Sequence, residues 1–264
     1  MRIIINADDF GKSIERNRAI DESFKQGLIH SAGLIVTGQF AQSAVNKAND
    51  GRYLSHLHIH FNLTANMRIE NSDDRPLTEA MKKDPFFCNV KEGRFLFRDP
   101  PSNFSTIRKC RTVYNELVAQ FERFKEITEG KANYKHVDFH LWYNLTWPVS
   151  LALNLFTRRY KIESVRYCAL HQIDNRRFKL YRLLSWDPHV TFIPATNIDY
   201  YLSKRGTLSG LKTIELFCHP NYKEGVFLDD SPSYLNHDRQ PMQKQIELLT
   251  RIDDAVFVSW EDIR

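Results

Sequence analysis

Short apolar runs rich in β-branched residues alternate along this chain with stretches of helical periodicity, and this alternation constrains the fold most. The runs are Ile3–Asn6, Gly33–Thr37, His58–Leu63, Tyr134–His140, Ser164–Cys168, His189–Pro194, Thr213–Cys218 and Ala255–Trp260. A helix is expected behind Ser13, an N-cap residue, with Ile14, Ile20 and Phe24 near helical spacing and Gly27 as its stop. The clearest helix covers about 106–128, where Ile107, Cys110, Tyr114, Leu117, Phe121 and Phe124 recur at three- and four-residue steps. That stripe reads as core packing. Two more helices are expected at about 149–159 and 242–252.

Strands that alternate with helices need crossover connections, and so a mostly parallel sheet. About eight strand candidates in this length favour a distorted (β/α) barrel over an open sheet, with the whole chain, 1–264, as one domain. The segment at about 65–105 interrupts the alternation with Asp73-Asp74, Pro76, Pro85, Gly93, Pro100 and Pro101. A stretch this long without periodicity reads as a functional insertion over part of an active site.

Hydrophobic residues make up 42% of the chain, enough for a sizeable core, and charged residues 26%. No apolar run approaches the roughly 20 residues needed to span a membrane. The opening Met1–Asn6 reads as a strand and not as a leader peptide, so a cytoplasmic protein with no membrane partner is expected. Cys88, Cys110, Cys168 and Cys218 are widely spaced, which argues for free thiols and against a zinc-thiolate site. The net charge is +5, yet the basic pieces Arg158–Lys161 and Arg176–Lys179 read as solvated faces. No nucleic-acid partner is expected.

Chemistry concentrates in four pieces: Asn6-Ala7-Asp8-Asp9-Phe10-Gly11, His58-Ile59-His60-Phe61-Asn62-Leu63-Thr64, Asp138-Phe139-His140 and Glu215-Leu216-Phe217-Cys218-His219-Pro220. In a parallel barrel such strand ends meet at one mouth. One Asp with two His suits a divalent metal with open positions. A spare Asp and a spare His then fit the base and acid of a hydrolysis. Adjacent aspartates also cap helices, so Asp8-Asp9 alone decides nothing. His56, His58 and His60 share one face of a strand, but residues two apart lie about 6–7 Å from each other, too far for one ion. His60 is therefore chosen as the ligand, His58 as a neighbour of the site and His56 as structural. His219 is the candidate general acid, because an imidazole titrates near neutral pH. Glu215, Phe217 and His219 share a face, so Glu215 either tunes His219 or orients the site.

These motifs resemble the YdjC-like carbohydrate deacetylases, a family that includes the chitooligosaccharide deacetylases. Asn6–Gly11, then Ser13, Asn17 and Ala19-Ile20, then His60–Thr64, Asp138–His140 and Glu215–Pro220 follow the family's order almost end to end. Trp142 and Asn144 stand where family members often carry histidines, and His58 stands where glycine is common.

The resemblance implies one divalent ion, Mg²⁺ or Zn²⁺, held by Asp9, His60 and His140. It implies Asp8 as the base that activates water, with an Asp8/Asp9 swap left open. It places His58, Asp138, Trp142, Arg166 and Glu215 around the metal or substrate. Arg166 matches a family arginine that either binds sugar or braces a carboxylate. Trp142, Tyr143, Trp147 and Trp186 are candidate sugar-stacking rings. The implied substrate is an acetylated carbohydrate, a short chitin-type oligosaccharide, and the implied assembly a homodimer. Another metal-dependent amide or ester hydrolase, or a sugar-binding protein without catalysis, are the competing readings.

Overall fold

The computed structural model describes residues 1–65, 74–97, 104–141, 146–169, 189–204, 211–223, 225–230, 241–251 and 255–263. The elements run β1 (Arg2–Phe10), α1 (Ile14–Lys25), β2 (Ser31–Leu34), α2 (Ala41–Asp50), β3 (Leu57–Phe61), α3 (Glu79–Lys82), β4 (Cys88–Asn89) and β5 (Arg94–Phe95). They continue as α4 (Cys110–Ile127), β6 (His136–Phe139), α5 (Trp147–Tyr160), β7 (Ser164–Ala169), β8 (Thr191–Asn197), α6 (Ile198–Lys204) and β9 (Thr213–Cys218). The chain closes with β10 (Pro220–Lys223), β11 (Val226–Asp229), α7 (Met242–Thr250) and β12 (Val256–Phe257).

The strands β1-β2-β3-β6-β7-β8-β9 pair in parallel in that order, and β9 pairs back onto β1 over Arg2–Ala7. The sheet is therefore a closed barrel of seven staves, as the alternating pattern requires. The eighth expected strand is shorter than predicted. Only β12 forms, and it pairs with Arg2 and Ile3 at the start of β1, while β2 takes the same strand from Asn6 onward.

Strands covered on both faces read as continuous apolar runs, which explains Ile3, Ile4 and Ile5, all fully buried. Side chains alternate between the faces. Ile3, Ile5 and Ala7 join the core beneath the helices, whereas Ile4 packs with Ile193, Trp260 and Ile263 in a separate cluster at the barrel floor. Asn6 and Asp8 continue the inward face. The lumen is thus apolar at its base and polar above.

Helix α1 is capped by Ser13, whose side chain accepts from the Arg16 N–H at 3.1 Å. Helix α2 escaped the periodicity reading because its buried face is Ala41, Ala44, Val45 and Ala48, too small to stand out. Helix α4 begins at Cys110, after a 3₁₀ stretch over Phe104–Lys109. Trp147 opens α5 ahead of Pro148, which suits a first helical turn. The expected strand containing His56 starts one residue later. His56 lies in the 3₁₀ turn Leu54–His56, with Nδ1 2.9 Å from the His30 carbonyl.

Within the 65–105 segment, β4 and β5 form a short antiparallel hairpin. The fully buried Glu116 of α4 accepts from the Leu77 and Thr78 N–H groups at 2.9 Å each, and from Thr78 Oγ1 at 2.7 Å. A carboxylate on the barrel thereby anchors this segment. Cys88, Cys110 and Cys218 are free thiols. No described helix is long and apolar enough to cross a membrane.

Candidate active site

Neighbouring side chains of a regular strand point to opposite faces, yet Asp8 and Asp9 both reach the same site. The backbone explains it. The β1–β2 register shifts between Ala7 and Phe10, and Asp9 has φ +70°. Such a bulge re-aims a side chain, and a non-glycine residue there is held under strain. Gly11 follows at φ +95°, and an added Cβ would meet the Ile35 carbonyl at 2.5 Å. Its N–H donates to Asn17 Oδ1 at 2.7 Å, and Asn17 Nδ2 donates to the Phe40 carbonyl at 3.1 Å. The opening hexapeptide and Asn17 are therefore one device that fixes the turn carrying Asp9.

Two imidazoles converge on that turn. His140 Nδ1 lies 2.9 Å from Asp9 Oδ1, and His60 Nε2 lies 3.6 Å from the same oxygen. Asp9 and His60 are 6% and 1% exposed, yet Asp9 Oδ1 and His60 Nε2 have no hydrogen-bond partner. Each of the His140 ring and the Asp9 carboxylate shifts the other's protonation. Asp138 Oδ1 accepts from His60 Nδ1 at 2.7 Å, which leaves the Nε2 lone pair free. Asp9, His60 and His140 form a group able to hold a metal ion. Two imidazole nitrogens and a carboxylate oxygen fit Mg²⁺, Mn²⁺ or Zn²⁺.

Lys12 was missed by sequence reasoning. Its ammonium lies 3.1 Å from His140 Nε2 and 3.4 Å from Asp9 Oδ2, and the residue is buried. Burial is the largest effect on the Asp9 carboxyl and acts to raise its pKa, but Lys12 and His140 hold it well below the usual carboxylate range. Burial and the Lys12 charge push His140 down to about 4. His60 is buried too, yet Asp138 and Asp8 raise it.

Arg166 is the electrostatic hub, and bracing carboxylates is its place in the structure. Its guanidinium donates to Asp8 at 2.7 and 2.6 Å as a fork, and Nε donates to both Glu215 oxygens at 3.0 and 2.9 Å. Nη2 also lies 2.8 Å from Asp138 Oδ2. Strand β7 neighbours neither β1 nor β9, so the pairs with Asp8 and Glu215 cross the lumen, whereas Asp138 lies on the adjacent β6. Burial works to raise the Asp8 carboxyl, but Arg166 lowers it. Burial prevails at Glu215, which is raised despite Arg166. Of the two expectations for Glu215, orienting the site through Arg166 is the one with contacts on display.

His219 Nε2 reaches Asp9 Oδ2 at 4.0 Å, and its side chain is 20% exposed, more open than His60 or His140. Its backbone N–H donates to Asp229 Oδ1 at 2.8 Å. Burial pushes its pKa down. His58 lies deeper, with Nε2 3.2 Å from Asp138 Oδ2. The barrel thus brings together Asp8, Asp9, His58, His60, Asp138, His140, Arg166, Glu215 and His219. Trp142, Tyr143, Asn144 and Trp186 lie outside the described residues. Sequence reasoning also missed His136, which shares the face of Asp138 and His140 two residues on, and Gly33, which lies against the His60 ring.

Fold and site define a parallel α/β-barrel protein with a buried carboxylate–imidazole centre at its strand ends. The chain belongs to the YdjC-like protein family, whose profile matches residues 2–257. It is similar to a carbohydrate deacetylase of Clostridium beijerinckii, 26% identical over all of this chain and 97% of the relative. A carbohydrate deacetylase of Geobacillus stearothermophilus is 28% identical, across 97% of this chain and 91% of its own. Among solved structures, a candidate cellobiose-phosphate cleavage protein of Enterococcus faecalis V583 superposes with a TM-score of 0.64. It is 19% identical and covers 84% of this chain and 82% of its own, a likeness that carries the fold.

Proposed function

We propose that this protein is a metal-dependent carbohydrate deacetylase that hydrolyses the acetamide of an N-acetylated amino sugar. The observation that carries the reading is the pair of unpartnered buried atoms, Asp9 Oδ1 and His60 Nε2, facing each other beside His140 Nδ1. Unpaired lone pairs in a dry interior are costly, and a divalent cation, Mg²⁺ or Zn²⁺, relieves the cost. Asp9, His60 and His140 would hold it. When bound, the ion supplies Lewis acidity toward water and the acetyl carbonyl.

The remaining steps belong to the side chains. Asp8 is kept ionised and oriented by the Arg166 fork, and it takes a proton from the attacking water. His219, the more open imidazole of the site, gives a proton to the departing amine nitrogen as the C–N bond breaks. Acetate and a free amino sugar result. The resemblance in the motifs supports a short chitin-type oligosaccharide as substrate and a homodimer.

The test is acetate release from diacetylchitobiose with Mg²⁺ or Zn²⁺, and with EDTA, for wild type, Asp9→Asn and His219→Ala. Metal-dependent release is expected, with a loss of at least about 100-fold in either variant. Release unaffected by EDTA, or by Asp9→Asn, would contradict the assignment. No release from any acetylated sugar by metal-loaded, folded protein would favour another amide or ester substrate.

A further inference from the structure

Deeper in the lumen lies a second convergence that the proposed chemistry leaves unused. His58, His136 and Asp138 are 0%, 1% and 0% exposed, and each offers a ligand atom within 4.8 Å of the other two. His58 Nε2, His136 Nε2 and Asp138 Oδ2 are all buried without a hydrogen-bond partner.

The outer contacts occupy one nitrogen of each ring. Ser31 Oγ donates its only proton to the His56 carbonyl at 3.1 Å. Its 3.2 Å contact with His58 Nδ1 occupies that ring nitrogen. His58 Nε2 then faces Asp138 Oδ2 at 3.2 Å. His136 Nδ1 contacts Ser164 Oγ at 3.0 Å, leaving its Nε2 as the unpartnered nitrogen. Trp260 stacks on His136 and meets His58 edge-on, which holds both rings in place.

Two imidazole nitrogens turned toward one carboxylate oxygen in a dry interior make a donor set for a divalent cation. The 3.2 Å separation matches two ligands of one tetrahedral ion, whose bonds of about 2.0–2.2 Å place neighbouring donors roughly 3.3 Å apart. Arg166 Nη2 approaches Asp138 Oδ2 at 2.8 Å but also serves Asp8 and Glu215, so three buried carboxylates share one guanidinium.

We propose that His58, His136 and Asp138 form a second divalent-cation site of the Zn²⁺ type, internal to the barrel. It shares Asp138 with the outer centre, since Oδ2 faces the inner site while Oδ1 holds His60. The site stands on these residues alone and needs no acetylated substrate.

The experiment is zinc-edge anomalous diffraction from crystals of the full chain grown with Zn²⁺, paired with metal counting on wild type, Asp9→Asn and His136→Gln. Wild type is expected to carry about two zinc equivalents, with one anomalous peak at each set of ligands, and each variant to lose about one. His136→Gln should keep the outer peak, and Asp9→Asn the inner one. An inner position without anomalous signal, filled by water or by a proton shared between His58 and Asp138, overturns the proposal. So does a metal count that His136→Gln leaves unchanged. If His136→Gln fails to fold, the wild-type anomalous map decides alone. Two peaks without deacetylation would refute the proposed function and leave the inner site standing.

Discussion

Gly33 seats the imidazole of His60: a Cβ on Gly33 would fall 3.0 Å from His60 Cβ and 3.2 Å from both Cγ and Nδ1. Strands β2 and β3 pair in parallel with Leu34 opposite Ile59, so this closeness is built into the barrel. Gly33→Ala should push the ring and loosen its 2.7 Å bond to Asp138. The expected result is metal binding about 10-fold weaker with the fold retained, since the second-shell partners of metal-bound histidines commonly matter by 10–100-fold. Titration calorimetry with Zn²⁺ reads it directly. Unchanged affinity would mean the ring yields without cost.

The sequence showed where the chemistry is but not how it is held. Asp8-Asp9, His60, His140 and His219 were legible because costly residue types at strand ends have few structural uses. Arg166 was ambiguous, because its partners Asp8 and Glu215 lie 158 and 49 residues away along the chain. Only closure of the barrel brings them together. Lys12 and Gly33 gave no signal in the sequence. Gly33 gains meaning from His60 on the paired strand, and Lys12 from Asp9 and His140. The alanine-faced α2 was invisible to periodicity for a different reason: small side chains bury well without a strong apolar signal.

Arg166 sets the stability of the lumen. Arg166→Met would leave Asp8, Asp138 and Glu215 buried without their shared cation. Breaking a buried ion pair from one side typically costs about 3–5 kcal/mol. Urea denaturation of metal-free protein at pH 7 should show a loss of this size. Arg166→Lys should recover only part of it, because an ammonium cannot fork onto two carboxylates at once. Wild-type stability in the methionine variant would show that the carboxylates take up protons instead.

Lys12 stands where it would compete with a bound cation. Its ammonium lies 3.4 Å from Asp9 Oδ2 and 3.1 Å from His140 Nε2, beside the proposed ligands. Removing a charge at such range is worth on the order of 1–4 kcal/mol, depending on the local dielectric. Lys12→Met should therefore tighten divalent-metal binding by about 10-fold or more while making the metal-free protein less stable. Chelator competition and urea midpoints report the two effects separately. Weaker metal binding in the variant would instead assign Lys12 to orienting Asp9 and His140.

Acid should destabilise the metal-free protein before the carboxylates of Asp8, Asp9 and Asp138 are protonated. His140 is pushed down to about 4, and His136 and His219 also lie below the usual imidazole value. Unfolded histidines titrate near 6.5, so below that pH the unfolded chain binds protons that these three refuse, and stability falls with pH. His60 is raised, so its contribution is fully present below about 6.5 and is lost as pH rises through its folded value. Glu215, also raised, favours the folded state as pH falls, but only between its own folded value and about 4.5. Asp8, Asp9 and Asp138 are lowered, so their contributions persist until pH drops below about 3.8. Three imidazoles thus oppose one carboxyl between about pH 6.5 and 5, each by up to about 1.4 kcal/mol per pH unit. Urea midpoints of EDTA-treated protein should fall steadily across that window. A midpoint that rises on acidification across that window would place the lumen's proton balance with Glu215 instead.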